Sequence, residues 1–163
     1  MNYQYFGSPI GALRLVSNGE QLIKIEFEGQ YTEDGGTETG DPILAACASQ
    51  LSDYFGGARH HFSLPLAAEG TPFQQSVWDV LTEIPYGEVR SYRDIAHRIG
   101  KPTAVRAVGT ANGRNPLPIV VPCHRVIGSD GSLTGFAGGL AAKTILLTLE
   151  DALVGTSPNH ATR

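Results

Sequence analysis

Near the start of the chain, apolar and polar side chains alternate. Gly11-Ala-Leu-Arg-Leu-Val-Ser17 and Gln21-Leu-Ile-Lys-Ile-Glu-Phe27 keep a period of two and flank Asn18-Gly19, a dipeptide suited to tight hairpin turns. A pair of antiparallel strands is predicted. Residues Gln30 to Gly40 are polar and rich in Gly, Thr and acids, which predicts a mobile loop. From Pro42 to Phe55 the period changes, with Ile43, Leu44, Cys47, Leu51, Tyr54 and Phe55 at helical spacing before Gly56-Gly57. Cys47 lies in that stripe and reads as a small core residue.

The pattern is helical again beyond a boundary near Ala67 to Gly70. Thr71-Pro72-Phe73-Gln74 offers an N-cap, a proline in the first turn and a glutamine three residues on. Val77, Trp78, Val80, Leu81 and Ile84 continue that helix until Pro85-Tyr86-Gly87. Ser91-Tyr92-Arg93-Asp94 caps a second helix running to Gly100, and after Lys101-Pro102 Thr103 is placed to cap a third, Ala104 to about Asn112. Two short helices across a Gly-Lys-Pro turn have the form of a helix-turn-helix. Apart from Arg106, its second helix presents small residues: Ala104, Ala107, Gly109, Thr110 and Ala111. These permit close approach to a nucleic-acid groove or to a neighbouring helix. Ile119 to Val121 reads as a short buried strand, Ser129 to Ser132 as a turn, and Leu140 to Leu149 as a final helix with Ile145, Leu146 and Leu149 on one face.

The 163 residues suffice for one ordinary domain or two small ones, and 41% hydrophobic with 17% charged residues marks a foldable chain. No basic leader and no long apolar run is present, so a cytoplasmic location without membrane contact is expected. The net charge of −4 is unevenly spread. Residues 1–70 hold three cations against nine acids, whereas Arg90, Arg93, Arg98, Lys101, Arg106, Arg114 and Arg125 stand against Asp94 alone, a local balance of +6. That segment is either a localised polyanion site or a solvated helical face. The two cysteines, Cys47 and Cys123, have neither disulfide-framework nor metal-type spacing; with no CxxC or HExxH, and His60-His61 alone, no metal or cofactor is expected.

The stretch that bears chemistry runs from Asn115 through Pro122-Cys123-His124-Arg125-Val126, where an apolar run leads to a thiol, an imidazole and a guanidinium. A cysteine reacts as thiolate, and nearby basic or cationic groups raise the thiolate fraction. A papain-like hydrolase is disfavoured, since its histidine comes from far along the chain and its local cysteine signature is absent.

Pro122-Cys-His-Arg-Val126 resembles the active-site signature of the O6-alkylguanine-DNA alkyltransferases (methylated-DNA–protein-cysteine methyltransferases). Arg106-Ala-Val-Gly109, Asn115-Pro116, Gly138-Gly139-Leu140, Lys143, Leu146-Leu147 and Glu150 follow in that family's order and spacing. Phe73-Gln-Gln-Ser-Val-Trp78 and Ile84-Pro-Tyr-Gly87 resemble its upstream part. The resemblance covers residues 71–150 well and residues 1–66 only as a generic small αβ domain.

The resemblance implies an α/β (α+β) fold of the compact bacterial type. A small N-terminal αβ domain with an antiparallel sheet (1–68) would precede a mainly helical, winged helix-turn-helix-like DNA-binding and catalytic domain (69–154) and a flexible tail (155–163). Cys123 would take the alkyl group, His124 would draw off the thiol proton through a water, and Glu150 would stabilise the imidazolium. Tyr92 would protonate the leaving guanine, and Asn115 would pin the turn under the cysteine. Pro118, Val126, Phe136, Ala137 and Gly138 would line the pocket, with backbone groups of Cys123 and Val126 on the guanine edge. Thr103, Ala104, Arg106, Ala107, Gly109, Thr110, Ala111, Asn112, Arg114 and Arg125 would meet double-stranded DNA through the minor groove, Arg106 filling the space of a flipped-out base. The protein is expected as a monomer, with cooperative assembly on DNA left open.

Phe136 and Ala137 stand where the family's human member carries a tyrosine and a serine, so a hydroxyl near O6 is missing and only the backbone donor remains; Asn112 stands where an apolar methionine can sit beside the pocket. Two rivals remain at this level. One is an alkyltransferase-like lesion binder, which Cys123 opposes, and the other is a winged-helix regulator in which Cys123 is structural.

Overall fold

The computed structural model describes residues 1–33 and 35–152; the tail expected at 155–163 lies outside them. The chain forms two compact units, Met1–Glu69 with Pro116–Val120, and Gly70–Asn115 with the chain from Val121 onward.

In the first unit, β1 (Asn2–Ser8), β2 (Gly11–Ser17), β3 (Leu22–Glu26) and β4 (Thr37–Glu38) form one sheet in the order β3-β2-β1-β4. Strands β1 and β2 pair antiparallel from Asn2↔Ser17 to Ser8↔Gly11, and β2 pairs antiparallel with β3. At the Asn18-Gly19 turn, Asn18 Oδ1 accepts the amides of Glu20 and Gln21 at 2.9 and 2.7 Å. Residues 37–38 fall within the stretch expected to be a loop, yet they pair in parallel with β1 because that strand's outer edge still carries unpaired amides and carbonyls. Helix α1 (Pro42–Phe55) starts at Asp41, whose carboxylate accepts the Leu44 amide at 2.8 Å and also binds Asn2 and Ser17. One carboxylate therefore caps the helix and ties it to two strands. Leu13, Leu15, Leu22, Ile25, Leu44, Cys47, Leu51 and Tyr54 form the buried core, and Ile25 N–H donates to Pro116 O at 2.9 Å, which brings 116–120 into this unit. Burial pushes the Cys47 thiol up to about 12, as suits a core residue.

The second unit contains α2 (Pro72–Leu81), β5 (Arg90–Ser91), α3 (Tyr92–Arg98), α4 (Val105–Gly113), a 3-10 turn over Cys123–Arg125, β6 (Val126–Ile127) and α5 (Leu140–Leu149). Reciprocal capping boxes, Thr71 with Gln74 and Ser91 with Asp94, start α2 and α3. The third cap differs from expectation: Ala104 is the N-cap of α4 and Thr103 makes no capping bond. Gly100, at φ +77°, turns the chain between α3 and α4, and β5 pairs with β6 in parallel. Val77, Trp78, Leu81, Ile95, Ala96, Val108, Leu146 and Leu147 are buried, and Trp78 Nε1 donates to Ala111 O at 2.9 Å.

Two local expectations are corrected. Ile119 and Val120 form a turn and Val121 a single bridge residue, not a strand; Ile119 and Val121 are buried, Val120 is half-buried, and Ile119 has φ +74°. The Val121 carbonyl is taken by Cys123 N–H and the Asn115 amide, both at 2.8 Å, so it is spent locally. In α5 the inward face is Ala142, Lys143, Leu146 and Leu147, while Leu140 and Ile145 are exposed.

Gly70 lies so close to Trp78 that an added Cβ would stand 2.4 Å from the indole ring. Gly70→Ala is expected to lower the unfolding free energy by about 1–3 kcal/mol through overpacking, measured by urea titration with Trp78 fluorescence as the signal.

Candidate active site

Cys123 opens the 3-10 turn after Pro122 and is buried, 5% exposed. Its carbonyl accepts the Val126 amide and, at 3.3 Å, Asn112 Nδ2. Asn115 donates to Val121 O, two residues before Cys123, and its side chain also reaches the thiol. Burial pushes the Cys123 thiol up to about 11, a rise that Asn115 and the charge of Lys143 only moderate. The resting group is therefore a protonated thiol, and reaction requires a base. The flanking cation does not lower it as the sequence suggested, because Arg125 is directed elsewhere.

That base is legible in the next two side chains. His124 is completely buried, with Nε2 2.7 Å from Glu150 Oε2. Arg125 Nε donates to Glu150 Oε1 at 2.8 Å, Nη2 to Oε2 at 3.1 Å and Nη1 to Ile84 O at 2.7 Å, with the guanidinium 5.7 Å from the Tyr86 ring centre. Burial opposes ionisation of Glu150, but the bonds from His124 and Arg125 outweigh it and hold the carboxyl down to about 2. An ionised carboxylate only accepts hydrogen bonds, so the His124 proton sits on Nε2. Burial lowers the His124 pKa, with Glu150 opposing and Arg125 reinforcing the shift, so the ring is neutral at rest. Its Nδ1 is then the basic lone pair, and it has no hydrogen-bond partner among the described residues.

Lys143 is completely buried and donates from Nζ to Val126 O at 2.6 Å and Thr134 O at 2.9 Å. Burial brings it down to about 8, with an opposing pull toward the charged form from Cys123. Tyr92 is half-buried and donates its hydroxyl to Thr134 O at 3.0 Å; burial raises its pKa, so it remains a proton donor. Phe136, Ala137 and Gly138 lie on the loop before α5, and Val126 is buried beneath the Lys143 bond. Pro118 falls in the first unit.

On α4 and its approach, Thr103, Arg106, Ala107, Thr110 and Arg114 are exposed, and Ala104 and Gly109 partly so. Thr71, Phe73, Gln74, Thr103, Arg106 and Arg114 contribute to a groove of about 660 Å³ along that face. Three residues assigned to DNA contact prove to be buried. Ala111 packs inward, Asn112 turns to Cys123, and Arg125 clamps Glu150. Of the seven basic residues in the segment, Arg90 and Arg98 pair with Glu88 and Glu83 and Arg125 with Glu150. Arg93, Lys101, Arg106 and Arg114 are exposed and have no ion pair among the described residues.

Lys143 and Tyr86 were missed as site residues. The signal for Lys143 was its spacing: Lys143, Leu147 and Glu150 share one helical face, so a lysine sat on the inward side with a carboxylate two turns away. Among the described residues no cluster suits a metal ion, and no helix is long and apolar enough to cross a membrane.

Fold and site define a class: a helix-turn-helix unit that presents a buried cysteine beside a histidine–carboxylate pair. Residues 72–152 match the family model for the 6-O-methylguanine DNA methyltransferase DNA binding domain, and residues 1–68 that for its ribonuclease-like domain. The chain belongs to the 6-O-methylguanine DNA methyltransferase family. The constitutive methylated-DNA–protein-cysteine methyltransferase of Bacillus subtilis is 60% identical over 158 residues, which cover 92% of this chain and 96% of that protein. The methylated-DNA–protein-cysteine methyltransferase of Methanosarcina barkeri is 49% identical, covering 93% and 98%. A crystal structure of Mycobacterium tuberculosis OGT in complex with DNA aligns with a TM-score of 0.88 at 43% identity, over 99% of this chain and 98% of that one.

Both His124 and Glu150 have lower pKa values in the fold than when free, so the unfolded chain binds more protons. Their stabilisation is complete above about pH 6.5. It is lost as acid is added, first through His124 and then, between 4.5 and about 2, through Glu150. Thermal unfolding is expected to move to lower temperature as pH falls below about 6.5, and His124→Gln should remove the upper part of that fall. Glu150→Gln, which strands the buried Arg125 charge, should cost about 3–5 kcal/mol at neutral pH.

Proposed function

We propose that this protein repairs O6-alkylguanine in duplex DNA by moving the alkyl group onto its own Cys123. The observation that carries this reading is the buried His124 with its proton held on Nε2 by ionised Glu150, which leaves Nδ1 as the base next in sequence to a protonated thiol. The Cys123 S–H proton passes to Nδ1 through a water, and Glu150 stabilises the imidazolium. The sulfur lone pair forms the S–C bond as the C–O6 bond breaks in line, and the bonding electrons stay with the guanine oxygen. The leaving base takes a proton from Tyr92, and is released as ordinary guanine. A thioether is a poor leaving group, so each chain reacts once.

The target atom is inside the base stack, so the nucleotide leaves the duplex first. The exposed small residues Ala107 and Thr110, with Gly109 between them, let α4 approach the minor groove closely, and Arg106 on the same face fills the vacated stack. Thr103, Ala104 and Arg114 border this contact; Arg93 and Lys101 add exposed positive charge. Val126, Phe136, Ala137 and Gly138 line the base pocket, and Asn115 holds the turn below Cys123. O4-alkylthymine is accepted by the same displacement. The protein acts as a monomer, in the cytoplasm, without a cofactor.

The test uses a duplex carrying one O6-benzylguanine, with intact-mass and peptide-mapping readouts. One benzyl group per chain on Cys123, none on Cys47, and no transfer by Cys123→Ser are expected. Arg106→Ala should slow transfer from the duplex by about tenfold or more relative to the free base, which has no stack to leave. Label on Cys47, more than one equivalent consumed, or DNA binding without transfer would overturn the reading.

A further inference from the structure

Asn112, on the last turn of α4, is 2% exposed and has half of its amide unsatisfied. Nδ2 donates to Cys123 O at 3.3 Å, whereas Oδ1 is buried without a hydrogen-bond partner among the described residues. The two ends of this amide are not interchangeable. Turning it over would set Oδ1 against the Cys123 carbonyl oxygen, acceptor against acceptor. A buried acceptor with no donor is uncommon in a native protein, and beside a reactive group it calls for an explanation.

The explanation follows from the carbonyl that Asn112 occupies. A carbonyl oxygen has two lone pairs. At Cys123 one receives the Val126 amide of the 3-10 turn and the other receives Asn112 Nδ2. The nucleophile's own carbonyl therefore has no lone pair left for a ligand, whereas the neighbouring Val126 carbonyl receives one bond, from the Lys143 ammonium at 2.6 Å. Asn112 takes up the Cys123 acceptor and presents its own Oδ1 beside it.

The chemistry of the lesion names the donor. Alkylation at guanine O6 removes the N1 proton, so the 2-amino group carries the remaining N–H bonds of the pairing edge. O4-alkylthymine has lost its N3 proton and has no N–H on that edge. We propose that Asn112 is a specificity-determining residue whose Oδ1 accepts a hydrogen bond from the 2-amino group of the alkylated guanine. The inference rests on the functional reading above, in which Cys123 receives the alkyl group from that base. It assigns to Asn112 part of the edge recognition expected of the Cys123 backbone, and it makes O4-alkylthymine the poorer substrate.

The test compares the full-length protein with Asn112→Met, an apolar side chain of similar length. Single-turnover rates are measured on duplexes carrying O6-methylguanine or O6-methylhypoxanthine, which differ only in the 2-amino group. The wild-type protein is expected to favour the guanine lesion by about tenfold or more, and Asn112→Met to bring that ratio to within about twofold of unity. Slowing caused by loss of the Cys123 tie, or by a smaller folded fraction, affects both duplexes and cancels in the ratio. An unchanged ratio in the variant, or no preference in the wild type, would overturn the role of Asn112. Failure of the wild type to methylate Cys123 from either duplex would instead overturn the functional reading on which it rests.

Discussion

Glu150 caps the C-terminal end of α5 with a side chain that has no access to water, and it is ionised there. Both circumstances work against a negative charge, since burial removes hydration and a helix C-terminus carries negative partial charge. The guanidinium of Arg125, bonded to both carboxylate oxygens, supplies the compensation. With the charge balanced by an arginine, His124 can donate from Nε2 without itself becoming a cation. Without Arg125 the pair would settle by sharing a proton, either as imidazolium and carboxylate or as imidazole and acid. Neither leaves a neutral imidazole with a free Nδ1 beside an ionised acceptor. A buried ion pair of this kind is weak evidence for stability as such; here its consequence is the fixed tautomer of a base.

The cysteines show why that base matters. Both thiols are buried and protonated at rest, near 12 for Cys47 and near 11 for Cys123. Resting acidity therefore distinguishes them little. What differs is the company: burial alone acts on Cys47, whereas Asn115 and Lys143 act on Cys123 and His124 follows it in the turn. The same turn explains why three polar side chains in sequence have three separate jobs. With about three residues per turn, successive side chains of a 3-10 helix point roughly a third of a revolution apart. Cys123, His124 and Arg125 thus diverge, and the arginine reaches Glu150 and Ile84.

Features set by local chemistry were legible in the sequence. The capping boxes at Thr71 and Ser91, the proline at the start of α1 and the Asn18-Gly19 turn depend on neighbours within four residues, and each is present. The ordered motifs from Arg106 to Glu150 led to the family for the same reason, since the residue types and their spacing are themselves the signal. Features that depend on distant partners were not legible. Thr37–Glu38 reads as loop because its composition is polar, and only the open edge of β1 makes it a strand. Ile119 reads as strand by its β-branched type, and its positive φ comes from a turn tied by Asn115. Arg125 reads as one more cation on a basic stripe because its carboxylate partner lies 25 residues away.

Everything above the fold in this account depends on the proton position in His124. Nitrogen-15 NMR of the imidazole in otherwise unlabelled protein reports it directly, since protonated and unprotonated ring nitrogens have well-separated shifts. At neutral pH the ring is expected to be neutral with Nε2 protonated and Nδ1 bare, and to lose that form when Arg125 is replaced by methionine, becoming either cationic or neutral with its proton on Nδ1. A wild-type ring already cationic at neutral pH, or one with its proton on Nδ1, would contradict this expectation.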